Sequence, residues 1–265
     1  MAQHATMRSL CYLLSAPDSP PARLQNAAEQ LASLGWGHTV VTGFGPTDPE
    51  IAAGYSRWRN LVYCKRSLSN REIAAYLGHR LIWQRIIDDG HAYALVLEDD
   101  FVCADRDRAA LVMAAAPALM ADWHMLKLFD FRARLPDATF AHGGLRLAVY
   151  ARPNSGLVGY FISRECCEAL LAGRTVFRPA DEEIRYWFRT RIRICSVLPN
   201  VVTDNSDVLG GSLIEADRED IRSRRNVVRS IWGNVITAYI KLRSWLWVRH
   251  VISTLPADSG LERAS

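Results

Sequence analysis

The chain has 265 residues, of which 49% are hydrophobic and 23% charged, with a formal net charge of +4. That length allows one large α/β domain with a sizeable core, or a domain plus an extension, and the composition excludes a disordered or fibrous chain. The positive charge is local: residues 218–250 carry eight Arg/Lys against Glu219 and Asp220, a balance of +6 that leaves −2 for everything else.

Met1 to Met7 is short and polar and lacks the basic start and apolar run of a secretory signal. Leu10–Leu14 reads as a first strand. A helix follows from Pro21 to Leu34, with Leu24, Ala27, Ala28, Leu31 and Leu34 at helical spacing and Gly35 as its stop. His38–Thr42 reads as a second strand, and Gly43–Pro49 as a loop. This β-α-β opening favours a parallel sheet. The next helix runs from Ser69 or Asn70 to Asp88. Ser69 and Glu72 make a capping box, Ile73, Tyr76, Leu77, Leu81 (or Arg80) and Gln84 share one side with Trp83 and Ile87 adjoining, and Trp83 reads as core.

Tyr93–Leu97 is a short apolar run that ends abruptly in Glu98, Asp99 and Asp100. Such runs read as buried strands, and open α/β sheets place their ligands at strand carboxyl ends. Alternation along an extended chain turns Glu98 and Asp100 one way and Asp99 the other. Paired carboxylates suit Mg²⁺ or Mn²⁺, with a diphosphate completing the shell. The acids therefore point to a nucleotide-activated substrate, although solvated loop ends carry similar clusters.

Further on, Ala109–Met120 reads as a helix interrupted by Pro117, and His124–Phe129 as a strand ending at Asp130. Residues 131–154 are loop-rich, with a short apolar run at Leu145–Tyr150. Gly156–Ile162 reads as a strand, Arg164–Leu171 as a helix and Ile192–Leu198 as a late strand. A second acidic group, Asp181, Glu182 and Glu183, lies before that last strand. The six cysteines form no Cys-x-x-Cys pair and no zinc pattern, so free thiols are expected. No stretch offers about 18 uninterrupted apolar residues, so no spanning helix is expected.

The run Leu68-Ser69-Asn70-Arg71-Glu72-Ile73-Ala74-Ala75-Tyr76-Leu77-Gly78-His79, then Trp83-Gln84 and Leu97-Glu98-Asp99-Asp100, resembles glycosyltransferase family 25. These are the lipopolysaccharide and lipooligosaccharide glycosyltransferases, related to the collagen galactosyltransferases. Arg23, the Gly159-Tyr160-Phe161-Ile162-Ser163 segment, Asp181, Pro199 and Ser206-Asp207-Val208 extend the likeness over about residues 8–225. This sequence departs from the family pattern at Leu13, where an Asn is usual, at Arg71, at Ala74-Ala75 and at Gly78.

The resemblance implies a single GT-A-like α/β domain with a mixed, mostly parallel sheet, spanning residues 8–217. It also implies inverting transfer of a hexose, galactose from UDP-galactose, to a lipooligosaccharide, lipopolysaccharide or similar glycan, with Mn²⁺ or Mg²⁺. Glu98 and Asp100 would hold the metal, supported by Asp207 or Asp204, while Asp99 would fix the turn through backbone N–H groups. Asp181 is the leading general base, with Glu182 and Asp130 behind it. Arg23, Glu72, His79, Gly159 and Tyr160 are the candidates for the donor site. Each has a structural alternative: Glu72 as the capping-box partner, His79 as a hydrogen-bonded core residue, and Gly159 and Tyr160 as strand shapers.

In the C-terminal part, Val228, Ile231, Trp232, Val235, Tyr239, Leu242 and Leu246 form one helical stripe. Arg222, Arg225, Arg229, Lys241, Arg243 and Arg249 surround it, with Trp245 and Trp247 near its end. Residues 218–252 therefore read as a basic amphipathic extension for an anionic membrane surface, or as a helix packed on the domain, followed by a flexible tail from 253. Nucleic-acid binding is not expected, because tryptophans on an apolar stripe suit lipid better. The expected place is the cytoplasm, peripheral on the inner face of the cytoplasmic membrane. Two rivals stand: a non-catalytic descendant binding glycan or membrane, motivated by Leu13, Ala74 and Gly78, and a nucleotidyltransferase, which would want a Gly-rich phosphate loop that Leu14–Pro21 lacks.

Overall fold

The computed structural model describes residues 10–132, 134–205, 227–255 and 262–263. Its frame is one sheet of nine strands: β1 Cys11–Ser15, β2 Thr39–Thr42, β3 Tyr93–Glu98, β5 Met125–Lys127, β6 Ala138–His142, β7 Leu145–Val149, β8 Gly159–Ser163, β9 Ile194–Leu198 and β11 Glu262–Arg263. The spatial order is β11-β6-β7-β9-β5-β8-β3-β1-β2. Six of these strands (β1, β2, β3, β5, β6 and β9) run one way, and β7, β8 and β11 run against them. β4 (Phe101–Cys103) and β10 (Val202–Asp204) form a separate antiparallel pair.

The first half of the sheet follows the sequence closely. β1 and β2 are joined by α1 (Pro21–Leu34), which opens with Pro at its first position and stops at Gly35 with φ 68°. α4 (Asn70–Asp88) starts on the predicted capping box: Ser69 Oγ accepts from the Glu72 N–H, and Glu72 accepts from the Ser69 N–H at 3.1 Å. Its buried face is Glu72, Ile73, Tyr76, His79, Ile82, Trp83 and Ile86, whereas Leu81 and Gln84 are exposed. β3 is buried from Ala94 to Leu97.

Elsewhere the structure departs from the pattern. α2 (Pro49–Gly54) and α3 (Arg57–Tyr63) occupy a stretch with no clear periodicity. α5 (Arg106–Asp122) passes through Pro117 without a break. Asp105 caps it by accepting from the Arg108 N–H at 2.9 Å, and its alanine-rich turns absorb one lost backbone hydrogen bond. The apolar run Leu145–Tyr150, set in a stretch read as loop-rich, contains the whole of β7, folded against β6 by Gly143-Gly144, both at positive φ, as a two-residue hairpin requires.

After β8 come α6 (Arg164–Leu171), α7 (Ala180–Glu183), a short 3-10 turn Ile184–Tyr186 and α8 (Trp187–Thr190). The C-terminal helix α9 (Val227–Ser253) packs on α3, the 3-10 turn and α8. Ser244 Oγ donates to the Arg185 carbonyl at 3.2 Å, Trp247 Nε1 to Ile192 at 3.0 Å and Trp232 Nε1 to Val62 at 2.9 Å. Glu262–Arg263, placed by composition in a flexible tail, pairs with β6 at the sheet edge.

Candidate active site

The carboxyl ends of β1 and β3, the first turns of α1 and α4, and the start of α7 enclose a cleft of 670 Å³. Ligand pockets for nucleotide-sized molecules are of this size. Glu98, Asp99 and Asp100 all line it. The expected alternation of these three fails because β3 ends at Glu98 and the next two residues form a turn.

Asp99 accepts from the Ser15 hydroxyl, tying the ends of β1 and β3 together, and lies 3.7 Å from Arg23 Nη1. It fixes the turn through these side chains rather than through backbone N–H groups. Arg23, buried in the first turn of α1, donates to Asp100 Oδ2 at 3.1 Å. The β4–β10 pairing sets Asp204 opposite Phe101, and Asn205 N–H donates to the Asp100 carbonyl at 3.0 Å. Asp204 thereby joins the acids in the cleft. Asp207 lies outside the described residues.

Burial pushes the Asp100 carboxyl up to about 8, with Glu98 and Asp204 adding to the rise and Arg23 opposing it. Asp100 Oδ1 is buried with no hydrogen-bond partner among the described residues. A bare buried oxygen crowded by other carboxylates is the environment a divalent cation neutralises.

His79 reaches this cluster from below. Its Nε2 is 3.1 Å from Glu98 Oε1, and its Nδ1 is 2.9 Å from Tyr160 Oη. Tyr160 also accepts from Trp83 Nε1 at 3.0 Å. Indole only donates and a phenol has one proton, so one arrangement satisfies every buried group. Trp83 donates to Tyr160, Tyr160 donates to Nδ1, and Nε2–H donates to Glu98. Trp83, Tyr160 and His79 are all buried, so no solvent relieves them. Glu98, whose side chain is 31% exposed, is the only member that opens on the cleft as an acid.

The other sequence candidates sort clearly. Glu72 lines the cleft, but Arg66 takes both its oxygens at 2.6 Å, so it holds a helix start and a neighbouring arginine. Asp181 lines the cleft at the start of α7. Glu182 does not: its side chain is 46% exposed and 3.9 Å from Arg185. Asp130 is not a base candidate in this structure. It lies away from the cleft with a 2% exposed side chain, 2.6 Å from Lys127 Nζ and accepting from Asn154 Nδ2 at 3.0 Å. Burial pulls the Lys127 ammonium below the usual lysine range, with Asp130 opposing. That pair holds Asn154 and Ser155, the latter on the cleft wall.

Gly159 and Tyr160 do not line the cleft either. A Cβ at Gly159 would lie 2.7 Å from Val202 Cγ2, so glycine is required there by packing.

Sequence reasoning missed Ser15, Asp18 and Arg71. Arg71 donates to Asp18 at 2.6 Å, linking the start of α4 to the β1–α1 loop beside the cleft. No local pattern marks a pair 53 residues apart. The departures at Leu13 and Gly78 also find their places. Leu13 is fully buried and away from the cleft, while Leu14 lines it. Gly78 makes room for Leu14, whose Cδ1 would be 2.9 Å from an added Cβ.

The model of glycosyltransferase family 25 (LPS biosynthesis protein) matches residues 18–181, which carry most of this cleft. The chain belongs to glycosyltransferase family 25. It is accordingly a glycosyltransferase, an enzyme that uses a nucleotide-sugar donor and a glycan acceptor. No curated protein matches it. Among solved structures it is similar to A197 from STIV, at TM-score 0.38 and 12% identity over 74% of this chain and 83% of that one. It is also similar to a glycosyltransferase involved in the glycosylation of the major capsid of PBCV-1, at TM-score 0.42 and 8% identity over 80% of this chain and 98% of that one. Scores this low leave the assignment of the transferase resting on the family match.

Proposed function

We propose that the transferase moves a hexose, galactose from UDP-galactose, with inversion onto a lipooligosaccharide, lipopolysaccharide or similar glycan. The observation that carries this reading is the convergence of Glu98, Asp100, Arg23 and Asp181 on one cleft. Arg23 supplies a guanidinium suited to phosphate beside the acids. Phe131 and the Ser155–Val158 wall offer a mixed apolar and polar surface for the acceptor sugar. Asp181 would take the proton of the acceptor hydroxyl at a carboxylate oxygen, since it is the base candidate that reaches the cleft.

Among the described residues no group of three or more His, Cys, Asp or Glu is arranged to hold a metal by itself. One or two carboxylates plus substrate phosphates are the usual holders of Mg²⁺, and Glu98 with Asp100 Oδ1 fits that description. A bound Mg²⁺ or Mn²⁺ would supply Lewis-acid charge against the departing diphosphate. His79 holds the Glu98 carboxylate in place meanwhile, and Arg23 offsets the charge of Asp99 and Asp100.

A glycolipid acceptor would put the enzyme in the cytoplasm, peripheral on the inner face of an anionic membrane, with its basic C-terminal helix as the point of attachment. No described helix is long and apolar enough to cross a membrane. The test is a panel of nucleotide sugars with Mn²⁺ and Mg²⁺, scoring donor hydrolysis and transfer, with Asp100→Ala beside the wild type. Metal-stimulated use of UDP-galactose that the variant loses supports the reading. Preference for another donor refutes the galactose assignment, and full turnover by Asp100→Ala refutes the metal assignment.

A further inference from the structure

A helix that docks on a domain ordinarily has one apolar face, turned inward. α9 has two. Its inward face runs through Gly233, Ile240, Ser244, Val248 and Val251. Its opposite face carries Trp232, Val235, Tyr239, Leu242 and Leu246, each between 51% and 57% exposed. These five recur at intervals of three and four residues, so they form one continuous outward row. Trp58 and Leu61 of α3, at 72% and 53% exposure, extend the apolar surface beyond the helix, because Trp232 is bonded to Val62 of that same helix. An apolar surface of this extent on a helix already docked by its other side marks an interaction face.

The charges around the row say what it meets. Residues 227–253 contain Arg229, Lys241, Arg243 and Arg249 and not one Asp or Glu. Arg249 lies over the Trp245 ring at 4.4 Å, and Arg243 beside Tyr239, so cations and aromatics stand together along the edges of the row. Aromatic rings with basic side chains at the rim of an apolar face match the headgroup level of an anionic bilayer. A second copy of the chain fits less well, because self-pairing would set these like-charged rims against each other.

We infer that the outward face of α9, continued by α3, lies flat on an anionic lipid surface, the apolar row entering the headgroup boundary and the arginines meeting lipid phosphates. The inference deepens the membrane-surface reading given above and rests on it. None of Trp58, Leu61, Trp232, Val235, Tyr239, Leu242 and Leu246 lines the cleft, so these side chains can be changed without removing a cleft wall.

The experiment is flotation of the full-length protein with vesicles of phosphatidylcholine alone or mixed with phosphatidylglycerol. The wild type is compared with Val235→Ser/Tyr239→Ser/Leu242→Ser/Leu246→Ser and with Arg243→Gln/Arg249→Gln, and sedimentation velocity and donor hydrolysis are run on all three. The wild type should float with the anionic vesicles only. The arginine variant should partition about thirtyfold more weakly. The serine variant should stay at the bottom, with donor hydrolysis unchanged even though it loses the edge-on contact of Tyr239 with Phe188. If the wild type does not float, the membrane reading itself falls. If the wild type floats and the serine variant floats equally, membrane attachment stands and this face is not its site. Self-association of the wild type that the serine variant abolishes, without flotation, would make the face a subunit interface and overturn the inference.

Discussion

Replacing Tyr160 with Phe removes one oxygen and leaves the ring, so the core keeps its shape and no cavity forms. What is lost is the acceptor for Trp83 Nε1 at 3.0 Å and the donor to His79 Nδ1 at 2.9 Å. Both partners are buried, and each buried polar group left unpaired costs about 1–3 kcal/mol, so the variant should lose roughly 2–6 kcal/mol of stability. A domain of this kind has about 5–15 kcal/mol to lose, so most of the population stays folded if the loss lies in the lower part of that range. A second effect reaches the cleft. Without the phenol proton, nothing obliges the His79 proton to sit on Nε2, and the hydrogen bond that aims Glu98 weakens. If that weakening transfers about 1.4 kcal/mol to donor binding, the donor KM rises tenfold. Urea unfolding measures the first quantity, and donor KM at fixed metal concentration the second. An unfolding free energy within about 0.5 kcal/mol of wild type would refute the bridging role of the hydroxyl. A destabilised variant with unchanged donor KM would show that the network ends at His79 and does not orient Glu98.

The two base candidates separate by substitution. Asp181→Asn should lower kcat by about 10²–10⁴ with little change in stability, whereas Asp130→Asn should unfold at lower urea and keep kcat in its folded fraction; the reverse pattern would exchange their roles. Gly159→Ala should lower the melting temperature through overpacking of about 1–3 kcal/mol against Val202 and Leu97, read by calorimetry, and an unchanged value would show that β10 gives way freely. His124 is held below its ordinary value of 6.5, first by burial, with Glu165 opposing, and its Nδ1 accepts from the Arg193 N–H at 3.0 Å. The unfolded chain therefore binds the proton more readily. The stabilisation is complete above the ordinary histidine value and is lost as pH falls from there through the lower folded value. His124→Asn should flatten that part of the stability curve, and an unaltered slope would refute the assignment.

The half of the fold from β1 to β3 was legible because its signals are local. Pro21, Gly35, Ser69 with Glu72, and the apolar run before Glu98 each fix an element within a few residues of themselves. The acids at the end of β3 could be found because their position follows from strand polarity alone. Their orientations could not, since the strand stops at Glu98 and the turn brings all three into one cleft. Partners distant in the chain were hidden for the same reason. Arg71 meets Asp18, Lys127 meets the Asn154 carbonyl, and Tyr160 meets His79 only after the sheet is assembled. Asp130 looked catalytic because an acid at a strand end is the same signal whether it faces solvent or a buried lysine. The outward row on α9 was visible as a stripe, but only the docked helix shows that a different face meets the domain.

The placement of β8 has a consequence for how this chain comes into being. β8 lies between β3 and β5, yet it follows both in the chain, so the side of β3 turned away from β1, and the facing side of β5, lack a partner until Ser163 has been made. At roughly 5–20 residues per second, the 65 residues from Asp99 to Ser163 occupy the ribosome for about 3–13 s. For those seconds the apolar backbone edge of Ala94–Leu97 stands open, a template for pairing with any other nascent strand.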